Sequence, residues 1–402
     1  MKKIFLILLM LLCVHNLLQA QEKKIKTGII VNKDNYQLYL KELKDLMIPA
    51  DYTIISNGLK NGWITVPIVK KGDYPSPKGY AAATARYSGK CLTGENNQLF
   101  GWVAGLPFQN PKNGLELAWN VQRRAQVTDQ MSFYGHEDFY SKNGMQTGNR
   151  ERNINFHLYN LYYIGRHTVP PVPEFPNNND GIRLKESILM LEPYDVKGFT
   201  MIRISFEDIE RPDDVFSYVP AIRRLRRLTG SDVTDPMLGG DNTYDDFEVV
   251  RQKITPKMTF KILGYRDYLV PKHYTRKPKD PFVSHNCYQM DWEIRPLYIL
   301  QYNINDPAYA YSKRVVYVEK EKPTADLYGG ECYDQKGRFW RTCGLIPHAK
   351  DSKTFDANCW YGCLYMDHIS RHTTLLDMYP VFADPEATPE AFSIRHLLKE
   401  AR

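Results

Sequence analysis

From about residue 100 onward the chain breaks into short runs of aromatic and β-branched residues, each ended by a turn cluster. "MSFYGHEDFYS", "NINFHLYNLYYIGRHTV", "ILMLEPY", "FTMIRISFED", "MTFKILGYRDYLV", "PLYILQYNI" and "RVVYVEKEK" follow one another with Pro, Gly, Asn and Asp between them. "GLELAWNVQRRAQV" and "FEVVRQKI" read the same way. Several alternate with period two: Phe260, Ile262 and Gly264 oppose Lys261 and Leu263. Successive strands with short connections predict an antiparallel meander rather than a βαβ pattern. The 28 Tyr and 17 Phe, with 25 Gly and 25 Pro, favour sheet over helix in the same way. No period of 20 to 50 residues marks a repeat protein.

The ends differ from this middle. Residues 1–20 join a short basic "MKK" to an apolar run and "LQA", a pattern expected of a cleaved secretory signal. No later stretch is apolar enough to span a bilayer as a helix. In "TGIIVNKDNYQLYLKELKDLMIP", Tyr36, Leu40, Leu43 and Met47 recur at helical spacing, and Pro49 is expected to end the helix. "ADPEATPEAFSIRHLLKEAR" predicts a short C-terminal helix. The Pro-rich loop at 170–180 and the basic loop at 273–285 are too short to be domain linkers, so residues 21–402 are expected to form one domain.

An exported chain has disulfides available. Beyond the leader the cysteines are Cys91, Cys287, Cys332, Cys343, Cys359 and Cys363, an even set. The last four predict a stapled region over about 330–402, with pairing open and zinc as the rival reading. The net charge of +7, two of it from Lys2 and Lys3, is mild for 402 residues and does not suggest nucleic-acid binding. Catalytic motifs are missing: there is no G-x-S-x-G, H-E-x-x-H, P-loop or G-x-G-x-x-G. His368 and His372 could share a metal only on a helix, and "SRHTTLL" does not read as one. The expectation is a protein with no enzyme activity, cofactor or metal.

The stretch "FSYVPAIRRLRRLTG" reads as a hairpin, with Pro220 in the turn. On the return strand Arg224 and Arg226 share one face and Arg223 and Arg227 the other. At least one pair is expected to turn inward and to need carboxylates, for which Asp241, Asp245 and Asp246 are the candidates. Three readings stay open: a salt-bridged surface, an anion contact at a cavity rim, and a partner-docking patch.

The block "DVFSYVPAIRRLRRLTGSDVTDPMLGGDNTYDDFEVV" resembles the signature of LolA/LolB-like outer-membrane lipoprotein-sorting proteins, and more narrowly the family called domain of unknown function 1329. "WVAGLPFQNPKNGLELAWNVQRR" and "YSKRVVYVEKE" with "CYDQKGRFWR" resemble further pieces of it, so the likeness runs over roughly residues 90 to 345. The cysteine-rich tail falls outside the pattern. The resemblance implies a mainly β fold, in which a strongly curved antiparallel sheet forms an incomplete barrel with a few short helices. It implies a protein of the periplasm, free or associated with the outer membrane, that carries or accepts a lipid, acyl chain or lipoprotein. RND-type exporters and outer-membrane channels are the implied partners, and a non-catalytic docking protein is the alternative. Within that picture Phe156 and Leu158 are candidate cavity residues, and Tyr218, Arg224 and Arg226 candidate rim residues.

Overall fold

In the computed structural model, the described residues are 24–141, 149–228, 235–272, 290–344, 348–351 and 357–393, with 395, 396 and 399. The expected leader over 1–20 lies outside them, as does Cys287. Thirteen strands form one sheet, numbered here in chain order. They are β1 (Gln130–Tyr140), β2 (Arg152–Tyr162), β3 (Ile182–Glu192), β4 (Thr200–Phe206), β5 (Asp214–Val219), β6 (Arg224–Leu228) and β7 (Met258–Lys272). The set continues with β8 (Asp291–Ile304), β9 (Tyr311–Glu319), β10 (Leu327–Asp334), β11 (Phe339–Gly344), β12 (Gly362–Asp367) and β13 (His372–Phe382). Every pairing is antiparallel, and the order across the sheet is β6-β5-β4-β3-β2-β1-β13-β12-β11-β10-β9-β8-β7.

That order is two meanders joined where β1 pairs with β13, from Thr373↔Tyr140 to Phe382↔Met131. The sheet curves without closing, and its two free edges are consecutive in the chain, β6 and β7. The cysteine-rich tail is no appendage. Strands β10 to β13 lie in the middle of the sheet. The expected cross-links are absent among the described thiols: Cys91, Cys332, Cys343 and Cys363 are buried and free. Cys332 is instead contacted by Arg314, whose Nη1 lies 3.2 Å from its Sγ. The side chain of Cys359 lies outside the described residues.

The helices that accompany the sheet ahead of β1 are α1 (Leu40–Leu46), α2 (Pro49–Asn61), α3 (Lys78–Tyr87) and α4 (Gly114–Gln122). The first helix ends before Pro49 as expected, but Pro49 then opens α2 at a position where its missing N–H costs nothing. Helix α4 corrects the strand reading of "GLELAWNVQ". The Asn113 side chain accepts from the Glu116 N–H at 3.0 Å, and Glu116 Oε2 accepts from the Lys112 N–H at 2.6 Å. This N-terminal capping favours the helix over the alternation of Leu115 and Leu117. Gly114 is required by position: a Cβ there would lie 2.4 Å from the Phe260 carbonyl carbon of β7.

The sheet is packed on both faces. On one, called the inner face, Phe133, Phe156, Leu158, Val316 and Leu376 meet Leu117 and Val121 of α4 and Tyr244, Phe247 and Val250 of the β6–β7 connection. On the other, Leu43, Ile55 and Leu59 of α1 and α2 cover Leu269, Trp292, Leu364 and Leu375. The "FEVVRQKI" run, predicted as a strand, belongs to neither edge. Glu248 (φ 51°) and Val249 (φ 74°) sit in the left-handed region, which breaks strand geometry there.

Candidate functional site

The connection from β6 back to β7 does not go around the outside. Residues 240–252 are buried throughout and lie against the inner face, where the incomplete barrel was expected to be hollow. The sequence "GGDNTYDDFEVVRQ" looks like a solvated turn because it is rich in carboxylates. Those carboxylates are instead anchored to the wall.

Asp241 Oδ2 sits 2.6 Å from His372 Nδ1 and accepts from Thr374 Oγ1 at 2.8 Å. Asn242 Nδ2 donates to Glu137 Oε1 at 3.1 Å. Asp245 meets Arg203 Nη1 at 3.1 Å and the Tyr309 hydroxyl at 2.9 Å. Asp246 meets Arg314 Nη1 at 2.5 Å and the Tyr311 hydroxyl at 2.8 Å. Arg251 reaches Glu186 at 2.7 Å, and Glu248 pairs with Arg124.

The electrostatics follow from which partner each group has. Burial works to raise the Asp246 carboxyl, but Arg314 and the Thr243 N–H hold it below its ordinary value. Asp245 is raised, because burial outweighs Arg203 and Arg314. Glu137 has no cationic partner of this kind, and burial pushes it up to about 7. Isolated buried charges would cost several kcal/mol each; the arginines on the wall are what allow so polar a segment inside.

Space remains at the seam. A cavity of about 740 Å³ opens between the two free edges, walled by Val215 and Leu228 on one side and Met258 and Ile304 on the other. Ile209 and Pro256 add to its apolar lining, and Arg203, Arg227, Lys253 and Asp213 stand among them. Burial lowers Lys253 to about 8, partly offset by Asp213.

The residues singled out from the sequence divide accordingly. Phe156 and Leu158 are buried in the inner-face core and do not line the seam cavity. The hairpin forms, with β5 and β6 joined through Pro220–Ile222 and the register Leu225↔Tyr218, but Arg223 (φ 50°), expected on the return strand, sits in the turn. Its arginines do not turn inward: Arg223, Arg224, Arg226 and Arg227 are all exposed, at an edge strand that among the described residues pairs with β5 alone. Arg227 pairs with Asp214 and borders the seam cavity, whereas Tyr218, Arg224 and Arg226 do not line it. Asp241, Asp245 and Asp246 are ion-paired, but their partners are His372, Arg203 and Arg314 rather than the hairpin. The wall arginines escape a reading of the sequence because each is a lone Arg in a strand; two-residue spacing from apolar inner-face neighbours, as in Arg314-x-Val316, is the available signal. Of the two histidines weighed as a metal pair, His372 binds Asp241 and His368 Nε2 lies 3.0 Å from Thr342 Oγ1. Among the described residues no three His, Cys, Asp or Glu side chains converge, and no helix is long and apolar enough to cross a membrane.

An antiparallel sheet curved round a segment of its own chain and left unclosed, with a cavity at its seam, is an incomplete barrel. A solved structure described as an outer-membrane lipoprotein-sorting protein domain, from Vibrio parahaemolyticus, shares the fold at 18% identity. The TM-score is 0.51, covering 72% of this chain and 98% of that one. A DUF1329 family protein from Desulfovibrio piger matches at TM-score 0.50 and 15% identity over 70% of this chain and 96% of its own. A LolA superfamily protein from Nitrosomonas europaea is similar at TM-score 0.43 and 12% identity, over 71% and 100%. No functionally curated protein matches the chain. The chain belongs to the family described as protein of unknown function DUF1329, whose profile matches residues 30–381.

Proposed function

We propose that the protein is an exported, non-catalytic carrier or acceptor of a lipid or of a lipoprotein's acyl chain, acting in the periplasm. The observation that carries this reading is the cavity at the seam. Its volume of about 740 Å³ lies within the usual range for small-ligand sites, and both apolar and charged side chains line it. Such a lining suits an amphiphile: methylenes against Val215, Leu228, Met258 and Ile304, a polar head towards Lys253 and Arg227. Each buried methylene contributes about 0.8 kcal/mol, so a partly enclosed chain binds reversibly without chemistry. The lipoprotein-sorting name of the Vibrio structure agrees with this reading through the fold alone.

Purified protein is expected to brighten an apolar dye, and fatty acid to displace it. Leu228→Trp, which fills the cavity from the partly exposed edge strand, is expected to weaken both by about tenfold or more, as loss of a few buried methylenes requires. Full affinity in Leu228→Trp, or no binding by the parent, would sink the carrier reading.

One observation favours a docking role at the same time. The hairpin presents Arg223, Arg224 and Arg226 beside Ile222 and Leu225, which are 55% and 41% exposed, on an unpaired edge. An envelope partner such as an RND-type exporter or outer-membrane channel would pair there. A photocrosslinker at position 223 or 226 is then expected to capture one defined envelope protein; diffuse labelling counts against docking.

A further inference from the structure

A second pocket lies apart from the seam cavity. It is small, about 40 Å³, and four guanidinium groups line it: Arg123, Arg124, Arg183 and Arg251, with Trp102 beside them. Three have carboxylate partners. Arg123 Nη2 meets both oxygens of Glu207 at 2.7 and 2.6 Å, Arg124 pairs with Glu248, and Arg251 pairs with Glu186.

Arg183 has none. It is 5% exposed, and its guanidinium makes no hydrogen bond or ion pair among the described residues. Two donors of the neighbouring arginines, Arg123 Nε and Arg251 Nε, are buried without an acceptor. The one lining carboxylate, Asp129, is already taken by the backbone N–H groups of His167, Thr168 and Val169 at 2.9, 2.5 and 2.8 Å. Burial, then the neighbouring Arg123, lower the Arg183 pKa to about 10, against the raising pull of Asp213 and Glu207, neither of which ion-pairs with it directly.

Local backbone geometry aims Arg183 into this cluster. The β3–β4 register breaks between Ile182 and Leu184, so Arg183 falls in an irregularity of the ladder, a device that redirects a side chain. A buried, unpaired guanidinium among other guanidiniums is unfavourable in an empty pocket and becomes favourable when a multiply charged oxyanion enters. The planar N–H forks of arginine fit phosphate oxygens in particular.

We propose that this pocket is a phosphate-group site in which Arg183 is the guanidinium that only the ligand satisfies. The phosphate is either a free anion or the head group of a lipid. The site shares no lining residue with the seam cavity, although Arg183 acts electrostatically on Asp213 and Lys253 there, and phosphate binding is read separately from dye binding.

The test is thermal unfolding and calorimetric titration of the purified chain with inorganic phosphate, at constant ionic strength set by chloride, and with dihexanoyl phosphatidic acid. Phosphate is expected to raise the unfolding midpoint of the parent. Arg183→Met is expected to be at least as stable in chloride, to lose that rise, and to bind phosphate about tenfold or more weaker, the usual effect of losing charge-assisted bonds. Tighter binding of the phosphatidic acid than of phosphate assigns the site to a lipid head group; equal binding assigns it to the free anion. If Arg183→Met does not fold, Arg183→Lys, which keeps the charge and loses the fork, must show the same weakening. A parent chain indifferent to both ligands at millimolar concentration, or either variant binding phosphate as the parent does, overturns the proposal. Dye binding at the seam is expected to be unchanged in both variants.

Discussion

Arg314→Met is expected to lower stability by about 3–5 kcal/mol, the usual cost of stranding a buried charge. Arg314 is 1% exposed and does four things at once. It binds Asp246 at 2.5 Å, Gln252 at 3.2 Å, the Tyr309 hydroxyl at 3.1 Å and Cys332 Sγ at 3.2 Å. Methionine keeps much of the volume and none of these bonds. Asp246 would retain only the Thr243 N–H and the Tyr311 hydroxyl as donors. Its carboxyl would then rise, so the deficit should shrink as pH falls and the group protonates. Adding Asp246→Asn should recover a large share of the loss, because a buried neutral amide costs less than a buried carboxylate without its guanidinium. Urea unfolding of the two single variants and the double variant measures this coupling. A single-variant loss under about 1 kcal/mol would mean that the inner segment is not held by this pair.

Glu137→Gln is expected to stabilise the protein at pH 8 and to leave it almost unchanged at pH 4. Glu137 is 3% exposed on β1 and faces Asn242 of the inner segment. Burial, with a smaller contribution from Asp241, raises its carboxyl from 4.5 to about 7. A raised acid favours the folded state when protonated. Its contribution is therefore fully present below about pH 4.5 and is lost as pH rises through 7. A shift of that size corresponds to about 3 kcal/mol. The glutamine variant should remove this slope, seen as a smaller difference between unfolding midpoints at pH 5 and pH 8. An unchanged slope would mean that Glu137 keeps its ordinary acidity in the fold.

Much of the sheet was legible because its information is local. Period-two alternation and turn residues placed β1, β2, β7, β8 and the β5–β6 hairpin, and the family motifs supplied the curvature. What escaped depends on distant contacts. "GLELAWNVQ" has strand-like alternation, and only the Asn113–Glu116 cap settles it as helix. "GGDNTYDDFEVVRQ" carries the composition of an exposed turn; nothing in the run itself says that Arg203, Arg314 and His372, from three separate strands, wait to receive it. The same gap put the expected hollow across the whole barrel, when residues 240–252 fill the middle and the cavity of about 740 Å³ lies at the seam. The cysteines show the opposite error. Clustering in sequence suggested staples, whereas the thiols of Cys332, Cys343 and Cys363 are free and buried on β10, β11 and β12.

The joint between β1 and β13 has a consequence for how the molecule is made. Each meander can zip up as its strands emerge, since neighbours in space are neighbours in the chain. Uniting the two is a different kind of event, because the earliest strand must stay unpaired along one side until the last one is delivered. During synthesis, therefore, an adhesive β1 margin stands exposed from the emergence of Tyr140 until that of His372, and that interval is where a chaperone has most to protect.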